Sequence, residues 1–179
     1  MTGSQKTSAP LTLVIGGARS GKSRFAEGLV IGANRPRRYI ATAQAWDDEM
    51  RARIAQHQTD RGEGWKTVEA PLDLASALAQ VTQDEVVLVD CATLWLSNHL
   101  LADHDLTAEC ARLLAALAAC HAPVVIVSNE VGFGIVPDNA LARRFRDAQG
   151  RLNQQLAAQA GLAVLVVAGL PVVLKGALP

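Results

Sequence analysis

Short unbroken runs of apolar residues alternate along this chain with longer stretches of mixed apolar and polar positions, and the alternation predicts a βα series. Leu11–Ile15 is an apolar run that stops at a glycine turn, and a helical stretch follows from Ser23 to about Val30. Arg38–Thr42 predicts a second strand. Asp47–Thr59 predicts a helix, with Asp47, Asp48 and Glu49 placed where acids favour its positive N-terminus. Trp65–Glu69 predicts a short strand, Leu72–Val81 a short helix, and Val86–Val89 a buried strand ending at Asp90. Thr107–Cys120, rich in Ala and Leu, predicts a helix, and Pro123–Val127 another buried strand. Asp138 is placed to cap a long helix from Asn139 to Ala160, and Leu162–Val167 and Val172–Leu174 supply late strands. Continuous β-branched runs between helices imply strands covered on both faces. The class is therefore α/β, a mostly parallel central sheet with helices on both faces.

Composition narrows this to one domain. The chain has 179 residues, half of them hydrophobic and 19% charged, which suits a globular protein with a substantial core. No internal repeat or low-complexity linker divides it. Residues 1–10 are polar and read as a flexible N-terminal tail, leaving 11–179 as the domain. Seventeen basic and seventeen acidic side chains cancel, so no overall positive field points to nucleic acid. Cys91, Cys110 and Cys120 are too few and too widely spaced for a disulfide framework or a zinc site, and read as buried thiols. The first ten residues lack the apolar core of a signal peptide, and no stretch approaches the roughly 18 apolar residues that span a bilayer. A cytoplasmic protein is expected.

Candidate chemistry begins where the first strand ends. Gly16-Gly17-Ala18-Arg19-Ser20-Gly21-Lys22-Ser23 carries the pattern G-x-x-x-x-G-K-S between a buried strand and a helix. Its glycines let the backbone curl so that N–H groups converge on phosphate oxygens. Lys22 can reach the β- and γ-phosphates, Ser23 can ligate Mg²⁺, and the helix that starts there adds its dipole. The domain is thus expected to have a P-loop nucleotide-binding fold. Asp90, ending an apolar strand, stands where a metal-directed carboxylate would sit beside such a loop.

A second feature lies on the helix expected at Asp47–Thr59. Met50, Ile54, His57 and Arg61 share one face on a 3.6-residue period, and Arg53 flanks His57. A neutral imidazole can attack phosphorus and form a covalent intermediate when arginines absorb the charge. The spacing permits that chemistry without requiring it. His99, His104 and His121 have no comparable setting.

Taken together, these residues resemble a known family. The phosphate loop through Arg24, then Tyr39-Ile40-Ala41-Thr42-Ala43, then Asp47-Asp48-Glu49-Met50 with Arg53-Ile54 and His57, resembles the bifunctional adenosylcobinamide kinase / adenosylcobinamide-phosphate guanylyltransferase family. Ser128-Asn129-Glu130-Val131-Gly132, Gly134-Ile135-Val136-Pro137, Phe145-Arg146-Asp147 and Gly150-Arg151 are similar to its second signature block. The resemblance runs from Leu11 to about Gly176. It implies two reactions late in adenosylcobalamin synthesis. A nucleoside triphosphate, ATP or GTP, phosphorylates adenosylcobinamide. GMP then passes from GTP to adenosylcobinamide phosphate through a histidine–GMP intermediate, and the matching histidine is His57.

The resemblance also implies a nucleotide site of Gly16, Gly17, Ala18, Arg19, Ser20, Gly21, Lys22 and Ser23, the turn Ala41, Thr42 and Ala43, then Gln58, Thr59, Asp60, Arg61, Glu69 and Asp90. Mg²⁺ would be held through Ser23 and Asp90, and Lys22 and His57 would be catalytic. Arg61 suits phosphate, and Glu69 could accept hydrogen bonds from a guanine edge. Some family members carry paired histidines where this chain has Gln56-His57, and some carry Glu where it has Asp90. A homo-oligomer, with a trimer as the specific guess, is implied as well. Two rivals remain at the level of sequence: a monofunctional P-loop small-molecule kinase, and a nucleotide-gated binding protein.

Overall fold

A computed structural model describes residues 10–44 and 62–179 of the chain. Each apolar run becomes a strand: β1 (Leu11–Gly16), β2 (Arg37–Ala41), β3 (Trp65–Glu69), β4 (Val86–Asp90), β5 (Val124–Asn129), β6 (Leu162–Val167) and β7 (Leu170–Lys175). They form one sheet in the order β3-β2-β4-β5-β1-β6-β7. All pairings are parallel except the last, where β7 folds back antiparallel on β6. The described helices are α1 (Lys22–Gly32), α2 (Leu74–Ala79), α3 (Ala92–Leu101), α4 (Leu106–Ala119) and α5 (Ala140–Gln159). The helix expected at Asp47–Thr59 and the tail before Pro10 lie outside the described residues.

Alternate residues of the central strands feed two cores, as a sheet covered on both sides requires. Leu11, Leu13 and Ile15 of β1 pack with Val87 and Val89 against Trp95 and Leu96 of α3, Leu113 and Leu117 of α4, and Leu152 and Leu156 of α5. Val14, between them, faces the other way and packs with Leu88, Val125 and Val164 against Ala26 and Val30 of α1. Helices α2 to α5 therefore cover one face and α1 the other. A buried ion pair braces the sheet on its amino-terminal side: Arg38 donates to both carboxylate oxygens of Glu85 at 3.0 and 2.8 Å.

Several boundaries differ from expectation, each for a local reason. Asn139, not Asp138, caps α5, its Oδ1 accepting from the Ala142 N–H at 2.8 Å. α2 is shorter than Leu72–Val81 because Asp73 is its cap, accepting from the Ser76 N–H at 3.1 Å. α3 has no counterpart in the sequence pattern. Its buried residues include Ala92, Thr93, Trp95, Leu96, Asn98, His99 and Leu100, so it is enclosed nearly all round and carries no amphipathic period. All three cysteines are free and buried, as expected. Burial pushes the Cys91 and Cys110 thiols up to about 11, and that of Cys120 in the same direction.

Candidate functional site

The carboxyl ends of the parallel strands place most of the described candidate residues along one edge. Strand pairing aligns Glu69 with Ala41, Ala41 with Asp90, and Gly16 with Asn129. Ligands of open α/β sheets bind outside this edge.

The loop from Gly16 to Ser23 leaves β1 in a shape that two glycines make possible. A Cβ on Gly16 would collide with the Ser20 hydroxyl and lie 2.7 Å from the Val166 carbonyl oxygen. Gly21 caps α1 at φ +90°, in the left-handed region, and an added Cβ would lie 3.1 Å from Gly169 Cα. No side chain caps α1, so its first-turn N–H groups open toward the loop. Lys22 Nζ donates to the Gly17 carbonyl at 3.0 Å, folding the ammonium over the space the loop encloses. Ser20 Oγ is buried without a hydrogen-bond partner. Ala18 and Arg19 are exposed, and Ser23 is half-buried at the second position of α1.

Asp90 stands half-buried at the end of β4. The Tyr39 hydroxyl donates to its Oδ2 at 2.9 Å, and the Thr42 N–H donates to its backbone carbonyl at 3.1 Å. Thr42 itself is enclosed. Its hydroxyl donates to the Cys91 carbonyl and accepts from the Cys91 N–H, each at 2.8 Å, and its carbonyl accepts from Asn98 Nδ2 at 2.9 Å. Thr42 therefore fixes the β2 turn to the start of α3, leaving half-buried Ala41 and Ala43 at the edge. Glu69 is exposed at the end of β3, on the far side of Ala41 from Asp90. His57, Gln58, Thr59, Asp60 and Arg61 lie outside the described residues.

The donors fit a divalent cation of the kind that phosphates help to hold. Among the described residues no group of three or more His, Cys, Asp or Glu side chains gathers as a metal cage. Mg²⁺ needs none, because it is commonly held by one or two side chains together with phosphate oxygens and water. Asp90, with one oxygen oriented by Tyr39, and the Ser23 hydroxyl are oxygen donors of the type such a site uses.

Sequence reasoning missed a buried polar network behind the loop. Gln149 Nε2 donates to Ser128 Oγ and to Asn153 Oδ1, both at 2.9 Å, and the Ser128 hydroxyl donates to Asn153 Oδ1 at 2.6 Å. Asn153 Nδ2 donates to the Asn129 carbonyl at 3.1 Å, and the Asn129 N–H donates to Thr93 Oγ1 at 2.7 Å. The network ties α3 and α5 to the end of β5, and the Glu130 N–H then donates to the Gly16 carbonyl at 3.1 Å. Ser128 and Asn129 stand in the second signature block, and Gln149 and Asn153 are spaced i, i+4 on one face of a helix, but nothing in the sequence joins the two pairs. A cleft of about 540 Å³ lies elsewhere, between residues 103–107 and α5, and takes no lining residue from the phosphate loop.

Known proteins are similar to this chain over nearly its whole length. A model of the family described as cobinamide kinase / cobinamide phosphate guanyltransferase matches residues 12–174. The bifunctional adenosylcobalamin biosynthesis protein CobU of Escherichia coli (strain K12) is 48% identical, the match covering 92% of this chain and 99% of that one. CobP of Pseudomonas aeruginosa, described in the same words, is 46% identical over 92% of this chain and 96% of its own. The RadB recombinase crystal structure aligns with a TM-score of 0.53 at 18% identity, covering 88% of this chain and 74% of that one, a likeness of fold alone. The chain belongs to the cobinamide kinase / cobinamide phosphate guanyltransferase family.

Proposed function

We propose that this member of the family uses its phosphate loop for two reactions, phosphorylation of adenosylcobinamide and guanylyl transfer to adenosylcobinamide phosphate. The observation that carries the reading is the Lys22 ammonium folded over a loop that admits no side chain at Gly16 or Gly21, with Asp90 on the same sheet edge. In the kinase step the substrate hydroxyl oxygen attacks the γ-phosphorus of ATP or GTP. The bond to the bridging oxygen breaks, the nucleoside diphosphate leaves, and the hydroxyl proton is released. Lys22 and the α1 N-terminus offset charge on the phosphate oxygens. Mg²⁺, held through Ser23 and Asp90, would add positive charge to the same oxygens.

In the transferase step a nitrogen of His57 attacks the α-phosphorus of GTP, and pyrophosphate leaves. A phosphate oxygen of adenosylcobinamide phosphate then attacks that phosphorus, the bond to nitrogen breaks, and adenosylcobinamide-GDP forms. Gly16 to Ser23, Ala41 to Ala43, Gln58 to Arg61, Glu69 and Asp90 make up the proposed nucleotide site, with Thr42 serving through the backbone it holds. The working unit is residues 11–179, and we place it in the cytoplasm as a homo-oligomer, a trimer by the family resemblance. Among the described residues no helix is long and apolar enough to cross a membrane.

GTP labelled at the α-phosphate tests the reading. Acid-labile, base-stable label on the denatured protein, lost in His57→Ala, is expected. Cobinamide phosphorylation without label would leave a monofunctional kinase, and neither activity would leave a nucleotide-gated binding protein.

A further inference from the structure

The segment between β5 and α5 carries one of two clusters of exposed apolar side chains, the other being Leu170, Val172, Val173 and Leu174 on the edge strand β7. Phe133 is 86% exposed, Ile135 99% and Val136 63%, three large apolar side chains within four residues. Nothing in the core uses them. Yet their backbone is held from both sides. The Arg146 guanidinium donates to the Gly132 carbonyl at 2.8 Å, and Glu130 Oε1 accepts from the Gly132 N–H at 2.5 Å. Arg143 Nη1 donates to the carbonyls of Pro137 and Asp138 at 2.9 and 2.7 Å. The segment starts at Glu130, whose N–H donates to the carbonyl of Gly16 in the phosphate loop.

We infer that this segment, with Phe133 and Ile135 as its contact side chains, is the docking surface for the corrin ring of the acceptor. The inference rests on the functional reading above. Both reactions bring a small hydroxyl or phosphate arm to the loop, while the bulk of the acceptor, a broad macrocycle with apolar faces and an amide rim, stays outside. A surface continuous with the loop and apolar at its tip suits such a face. Holding the backbone in place beforehand reduces the ordering cost of binding. A second copy of the chain is the competing occupant. Three side chains, the largest offering at most about 250 Å², fall short of the roughly 800 Å² per partner that a standard protein interface buries.

The double variant Phe133→Ala with Ile135→Ala tests this, because both side chains are exposed and their loss leaves the core intact. The KM for cobinamide is expected to rise roughly tenfold or more, with GTP affinity by equilibrium dialysis and the sedimentation coefficient both unchanged. Phe133→Trp, which keeps a flat apolar face, should retain the original KM. An unmoved KM in the double variant, an equal loss of GTP affinity, or a changed sedimentation coefficient would each overturn the inference. If the unaltered protein turned over no cobinamide, the functional reading would fall and take this inference with it. Turnover with an unmoved KM sinks the inference alone.

Discussion

The Tyr39 hydroxyl donates to Oδ2 of Asp90 at 2.9 Å, from one strand to its neighbour. Tyr39 is 6% exposed, and its ring stands edge-on to Trp65 with centroids 6.2 Å apart, so packing fixes the hydroxyl. A hydrogen bond to a charged carboxylate orients it as well as stabilising it. Tyr39→Phe should therefore leave the fold intact while raising the magnesium concentration for half-maximal rate by about tenfold, near the lower bound for losing such a bond. A magnesium titration that coincides with that of the unaltered protein would remove Asp90 from the cation site.

Gly16→Ala should be costlier than its size suggests. The new methyl would meet a backbone carbonyl, Val166 O at 2.7 Å, which belongs to a paired strand and has little room to move. Overpacking of this kind typically costs about 1–3 kcal/mol, and the loop would be displaced from its N–H geometry. Urea unfolding and GTP binding should both weaken. Gly28→Ala is the control, since nothing lies within 4 Å of a Cβ there.

Lys22→Ala should lower both reaction rates by about a hundredfold to a thousandfold, the usual effect of removing one charge aimed at a transition state. Lys22→Arg should not restore them, because a planar guanidinium cannot occupy the point that the ammonium holds 3.0 Å from the Gly17 carbonyl. Loss of only one reaction would mean that the two use separate nucleotide sites.

His99 makes stability depend on pH. Burial is the largest influence and lowers its pKa, opposed by its contact with the Leu72 carbonyl and by Glu109, and reinforced by His104 and Arg112. Its Nε2 lies 3.1 Å from that carbonyl and its Nδ1 lies 2.9 Å from Nδ1 of His104, so both ring nitrogens are already engaged in the buried setting. With the folded pKa below the unfolded value of about 6.5, the unfolded chain takes up the proton first. Stability is full above that pH and falls as the pH drops through it toward the folded value. Urea midpoints should fall from about pH 7 to about pH 5, and His99→Gln should flatten the slope. Equal midpoints at both values would rule the mechanism out.

Much of this was legible in the sequence where pattern and chemistry coincide. Leu11–Ile15 followed by the glycine loop predicted the strand and the turn that the structure has, and the phosphate site is proposed on them. The strands Val86–Val89 and Pro123–Val127 were equally plain, being too apolar to sit anywhere but inside. What escaped were features set by tertiary contact. α3 has no polar face, so its period was invisible. The bond from Tyr39 to Asp90 joins residues that are far apart in sequence and meet only in the register of β2 with β4. Strand order could not be read, because a buried parallel strand looks alike in any central position.

The sheet order has a consequence for how the chain acquires its shape during synthesis. Among the described strands β1 comes first, yet it pairs with none of the next three; its neighbours are β5 and β6. The turn that follows β6 also reaches back, with the Gly169 N–H donating to the Ser20 carbonyl at 2.8 Å. The leading strand must therefore wait, unpaired, until the last third of the chain leaves the ribosome. Closing so long a stretch is slow, and an apolar strand left open in the meantime is prone to sticking. The loop that leaves β1 should settle only with this late docking, which rather than the helices should limit recovery from denaturation.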